Sequence, residues 1–116
     1  MNVFITGCST GIGLVAAEHF TAKGYQVIAT ARNPKSSEGL QSLNQKNDST
    51  MVLPLDVTDQ ASVDTTIKRV SDEVGDIDVL INNAGIGHGM SVENTSIDKA
   101  REIMETNYFG AYRMMK

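Results

Sequence analysis

The 116-residue chain contains one cysteine, Cys8, so no internal disulfide can form, and Cys8 has no metal-ligand company around it. No apolar run is long enough to cross a bilayer, and Met1-Asn2 leads straight into a strand pattern with neither a charged n-region nor an h-region. The expectation is a soluble, cytoplasmic protein with no membrane partner. On that expectation the formal glycosylation triplets at Asn47 and Asn94 carry no weight. The 10 Lys and Arg residues are scattered and the formal net charge is -4, so no basic stripe offers itself to nucleic acid. There are no internal repeats and no low-complexity tract. The length fits one domain with a modest core.

What the chain does have is concentrated at its start. Val3-Phe4-Ile5-Thr6-Gly7-Cys8-Ser9-Thr10-Gly11-Ile12-Gly13 is a short apolar run that drives into three glycines, with an amphipathic pattern immediately behind them. This is the order strand, loop, helix. A helix N-terminus presents unpaired N–H groups and the positive end of its dipole, and both favour an anion. The spacing is G-x-x-x-G-x-G, different from the G-x-G-x-x-G of the general dinucleotide fingerprint. It is not a Walker A loop, because no Gly-Lys-Ser/Thr follows.

Behind the loop, residues 14–23 place Val15, Ala16 and Phe20 at helical spacing, and Gly24 follows as a helix stop. Residues 26–31 form a second β-rich run ending at Arg32-Asn33-Pro34, which completes one βαβ unit. The polar stretch from Pro34 to Thr50 holds only a short, weak helical signal at Leu40 and Leu43. Met51-Val52-Leu53-Pro54-Leu55 reads as a third strand, followed by Asp56-Val57. Thr58 or Asp59 then caps a helix whose stripe is Val63, Ile67, Val70 and Val74, with Gly75 at its end. Asp78-Val79-Leu80-Ile81 is the fourth strand and runs into Asn82-Asn83-Ala84-Gly85. After a glycine-containing loop, Thr95-x-x-Asp98 resembles a capping box. One last helical pattern then carries Ile97, Ala100, Ile103, Met104, Asn107, Ala111, Met114 and Met115. The alternation of strand and helix predicts an α/β fold with a doubly wound parallel sheet of the Rossmann type.

Taken together, Gly7 to Gly13 after the first strand, Asp56 after the third, Asn82-Asn83-Ala84-Gly85 after the fourth and Asn107 in the last helix resemble the classical short-chain dehydrogenases/reductases. The Gly7–Gly13 form and the strand end Ala29-Thr30-Ala31-Arg32 look closest to the hydroxysteroid- and retinol-dehydrogenase-like members. The resemblance runs through essentially all 116 residues. It implies an oxidoreductase that transfers hydride between a nicotinamide cofactor and an alcohol or carbonyl substrate. It assigns the pyrophosphate and adenosine side to Gly7, Ser9, Thr10, Gly11, Ile12 and Gly13, the adenine frame to Asp56 and Val57, and a close backbone approach to Asn83, Ala84 and Gly85. Arg32 ends the second strand where NAD enzymes carry an acid. An arginine there accommodates a 2′-phosphate, so NADP is expected over NAD.

The resemblance also sets an expectation of incompleteness. Of the family's asparagine, serine, tyrosine and lysine, only the asparagine has a match, Asn107. Tyr112 and Lys116 have Y-x-x-x-K spacing but begin only five residues after Asn107, on the same helical pattern, and are not expected to be catalytic. The chain is therefore read as the cofactor half of a homo-oligomeric enzyme, ending after the fourth strand and its helix, and as inactive and poorly stable by itself. The alternative is a non-catalytic nucleotide-binding or structural module. Cys8 is read as a small space-filler, His19 as a surface residue, and His88 as part of a loop, residues 86–90, bordering the substrate cleft.

Overall fold

The computed structural model describes residues 1–116. Four strands, β1 (Asn2–Ile5), β2 (Gln26–Ala31), β3 (Thr50–Pro54) and β4 (Val79–Ile81), form one sheet in the order β3-β2-β1-β4. Every pairing is parallel, with Phe4 level with Ile28 on one side and with Leu80 on the other. The chain winds outward from β1 to β3 and then crosses back to place β4 beyond β1. That reversal leaves a crevice at the C-terminal ends of β1 and β4, the place where doubly wound sheets bind ligands.

Alternation along each strand divides the core in two. Val3, Ile5, Val27 and Ala29 face α1 (Gly11–Ala22) and α2 (Glu38–Lys46). Phe4, Ile28 and Leu53 face the opposite way, against Val63 and Val70 of α3 (Gln60–Glu73) and Met114 of α5 (Ala111–Met115). β4, all three of its residues apolar, closes the sheet with β1 as its only neighbour, so its outer edge is unpaired. No helix is long and apolar enough to cross a membrane.

Local sequence and tertiary packing disagree at four points. The sheet-facing side of α1 is Gly13, Ala17 and Thr21, not a stripe led by Val15, which is 62% exposed. Small side chains let the helix sit close to the sheet, a requirement that hydrophobic size does not register. The helical signal at Leu40 and Leu43 is a full nine-residue helix, because both leucines are buried and Ser37 caps its first turn. The cap of α4 (Ile97–Met104) is Ser96, whose hydroxyl accepts from the Lys99 N–H at 3.1 Å, one residue later than Thr95. Finally, the last helical pattern is not continuous. A π-helical stretch, Glu105–Gly110, separates α4 from α5.

Candidate functional site

The loop after β1 is fastened to the loop after β4 by four hydrogen bonds. Thr6, fully buried, accepts at Oγ1 from the Asn83 N–H at 3.0 Å and the Ala84 N–H at 2.9 Å. Asn83 answers through Nδ2, which donates to the Thr6 carbonyl at 3.1 Å and the Gly7 carbonyl at 2.9 Å. The approach is close enough that a Cβ on Gly7 would lie 2.7 Å from the Ala84 Cα, and Gly7 also has φ +70°. A Cβ on Gly13 would collide with the Gly7 carbonyl. Two of the three glycines are thus fixed by packing.

Gly11 differs. It has φ +62°, and nothing lies within 4 Å of where its Cβ would be. It opens α1 towards solvent, where Thr10, extended at the N-cap, makes no side-chain capping bond and the first turn carries no acid. The leading N–H groups of α1 are left for an external acceptor, and the positive end of the helix dipole favours an anionic one. Ser37 braces the approach from the other side, its hydroxyl donating to the Ser9 carbonyl at 2.6 Å.

Beyond β3, Asp56 forms a tight turn. Its Oδ1 accepts from the Thr58 N–H at 2.9 Å and the Thr58 hydroxyl at 2.7 Å, while its own N–H donates to Ser62 Oγ at 3.0 Å. The Thr58 bonds hold the Asp56 carboxyl below its ordinary value, with a smaller contribution from the Arg32 and Arg113 charges. Asp56 is therefore an anion at neutral pH.

These segments surround one cleft of about 450 Å³. Of the residues expected at a site, Gly7, Ser9, Thr10, Ile12, Arg32, Asp56, Val57, Asn83, Ala84 and Gly85 line it. Gly11 and Gly13 shape the loop behind it. Asn107 stands outside the lining but reaches it through Ile86, holding both backbone polar groups of that residue. Thr30, Glu102 and Thr106 also line this wall without having been expected there, whereas Ile86 belongs to the loop expected to border the substrate cleft. Glu102 and Thr106 carry no local signal, because only the packing of the last helix brings them to the cleft. In the loop of residues 86–90, Ile86 alone lines the cleft, and His88 does not.

Further residues singled out in the sequence have clear positions. Tyr112 is 56% exposed and neither it nor Lys116 lines the cleft. Cys8 is fully buried with its Sγ donating to the Ile5 carbonyl at 3.3 Å, and burial pushes its thiol up to about 11.

The same fold is found in known proteins. The family model described as short chain dehydrogenase matches residues 1–116. An oxidoreductase of Penicillium decumbens is 40% identical over 115 residues, covering 96% of this chain and 37% of its own length. A carbonyl reductase from chicken fatty liver, solved with NADPH bound, superposes with a TM-score of 0.93 at 32% identity, over 97% of this chain and 48% of that one. A 3-ketoacyl-(acyl-carrier-protein) reductase from Brucella melitensis, solved with NADH, gives 0.89 at 28% identity, over 98% and 46%. The chain thus spans less than half the length of these relatives. With the family matched from end to end, this chain belongs to the short-chain dehydrogenases.

Proposed function

We propose that this chain forms the cofactor side of an NAD(P)-dependent oxidoreductase that acts on an alcohol or carbonyl group. The observation that carries the reading is the convergence on one cleft of an uncapped helix N-terminus, the Arg32 guanidinium and the Asp56–Val57 turn. An anionic dinucleotide fits those groups. The first turn of α1, with Ser9 and Thr10, would take the pyrophosphate; Asp56 and Val57 would border the adenine; Asn83, Ala84 and Gly85 would back the nicotinamide side. The cofactor, when bound, supplies the hydride-carrying ring. Asn107 would serve through Ile86, whose backbone it fixes at the cleft wall. The substrate and assembly into homo-oligomers belong to the same proposal and rest on family membership.

NADP is the cofactor we favour over NAD. Arg32 is exposed at the end of β2 and no acid stands beside it in sequence before Glu38. Both NADPH- and NADH-bound structures occur among the similar proteins, so the argument rests on Arg32 itself. Titration of the chain with NADPH and NADH, followed by nicotinamide fluorescence, tests it. Arg32→Asp should weaken NADPH by at least about tenfold and leave NADH little changed, the loss expected for one charge-assisted phosphate contact. Equal affinity for the two cofactors in the wild-type chain would refute the preference. Binding of neither would refute the cofactor reading.

A further inference from the structure

Four of the five ion pairs join residues three or four apart on an exposed helix surface: Lys68–Asp72, Arg69–Glu73, Lys99–Glu102 and Arg101–Asp98. Such pairs contribute little. The fifth, Arg113–Glu105, is different in spacing, burial and company. Its partners are eight residues apart, with the Arg113 side chain only 22% exposed. While Nη2 of Arg113 pairs with Glu105, its Nη1 donates to the Val57 carbonyl at 3.2 Å.

The spacing has a geometric cause. In a regular helix, positions eight apart are about 80° past two full turns and do not share a face. A π-helical turn takes in one extra residue, so positions eight apart fall where positions seven apart ordinarily do, about 20° short of two turns. Glu105 begins the π-helical stretch and Arg113 lies just beyond it. The ion pair therefore depends on the widened turn. Inside the stretch sit Asn107, which holds Ile86, and Gly110, which is buried against Val57 so closely that a Cβ would come within 2.6 Å of Val57 Cγ2.

We propose that Arg113 and Glu105 are positioning residues: they clamp the π-helical stretch and so tie together two opposite walls of the cleft, Val57 after β3 and Ile86 after β4. Neither lines the cleft. Arg113 fixes the Val57 carbonyl directly, and the pair fixes the turn from which Asn107 grips Ile86. The cofactor part of this inference rests on the function proposed above; the mechanical part does not.

The test compares the wild-type chain with Arg113→Met, which removes both guanidinium bonds, and Glu105→Gln, which removes the charge pair and leaves the donor to Val57. Hydrogen exchange of the Ile86 amide is measured without ligand, with the Val27 amide of β2 as reference, and NADPH affinity by fluorescence. Arg113→Met is expected to speed Ile86 exchange and weaken NADPH by about tenfold each, with Val27 unchanged and Glu105→Gln intermediate. Unchanged Ile86 exchange would overturn the proposal. So would an equal rise at Val27 in both variants, which would assign the pair to general stability. NADPH affinity in Arg113→Met equal to that of a binding wild-type chain would overturn the cofactor part. If the wild-type chain binds no NADPH, the cofactor reading fails, and ligand-free exchange decides the clamp by itself.

Discussion

Asn107 holds Ile86 at both ends of its peptide chemistry: Oδ1 accepts from the Ile86 N–H at 2.8 Å, and Nδ2 donates to the Ile86 carbonyl at 2.9 Å. A carboxamide presents an acceptor and a donor in one fork, which an ionised carboxylate does not. The grip joins the last helical segment to the loop after β4 across 21 positions of sequence.

Asn107→Asp should expose this dependence through pH. At neutral pH the carboxylate keeps the acceptor for the Ile86 N–H but turns a second lone-pair face on the Ile86 carbonyl. The folded state then disfavours the charged form, so the folded pKa lies above the unfolded one. Protonation restores a donor, and the variant should regain stability relative to wild type as pH falls through that raised value. Near pH 7 the expected deficit is about 1 kcal/mol, the net worth of one hydrogen bond. Urea denaturation at several pH values measures it, and a deficit independent of pH would count against the grip.

The glycines of the first loop should separate by mechanism. Gly13→Ala forces a methyl into the Gly7 carbonyl and within 2.5 Å of Asn83 Nδ2, and backbone cannot move aside cheaply. Overpacking costs about 1–3 kcal/mol, occasionally more, and a backbone obstacle puts Gly13→Ala at about 3 kcal/mol or above. Gly11→Ala meets no atom and pays only for its left-handed backbone, about 1–2 kcal/mol. The expected order of unfolding midpoints is therefore wild type, then Gly11→Ala, then Gly13→Ala. Reversal of the last two would mean that the contact between the two loops is looser than the structure has it.

That contrast also marks how far the sequence could be read. The glycine run, the strand ends at Asp56 and Asn83 and the helical stripe of Val63, Ile67 and Val70 are local patterns, and each stands where its pattern places it. The role of Thr6 as acceptor for two N–H groups after β4 is not local, since its partners are 77 and 78 residues away. The same holds for the break in the last helix. Ile97 to Met115 keeps a helical period throughout, and the π-helical stretch arises where Asn107 and Gly110 meet Ile86 and Val57. Residues Asn and Gly, weak helix formers, are the only hint along the chain. Site residues at strand ends were legible because topology alone gathers them; Glu102 and Thr106 were not, because they arrive by packing.

Asp56 should leave a signature in acid stability. Its folded carboxyl lies below the ordinary value, chiefly through the Thr58 bonds. A depressed carboxylate stabilises the fold above its unfolded pKa, about 3.9, and that contribution is lost as pH falls through the folded value. Asp56→Asn should therefore be less stable than wild type at pH 6–8 by a constant margin, and the two curves should converge below about pH 4. Thermal or urea midpoints across that range provide the check. A margin that persists into strong acid would assign the effect to shape, not charge.

Cys8 offers the most direct probe of whether the first loop is closed. Its thiol is buried, donates to the Ile5 carbonyl and is raised to about 11. At pH 8 the thiolate fraction is then about one in a thousand, against about a quarter for a free cysteine of pKa 8.5. Alkylation by iodoacetamide should run at least about a hundredfold slower in the native chain than in urea, because the thiolate is the nucleophile and the site also lacks access. Breaking the fastening between the loops should reverse this. Thr6→Val removes the acceptor for the Asn83 and Ala84 N–H groups, two residues from Cys8. If that variant accelerates alkylation while the Val27 amide remains protected, the loop opens locally. Equal alkylation rates in native and denatured wild-type chain would show that Cys8 is not enclosed as the structure places it.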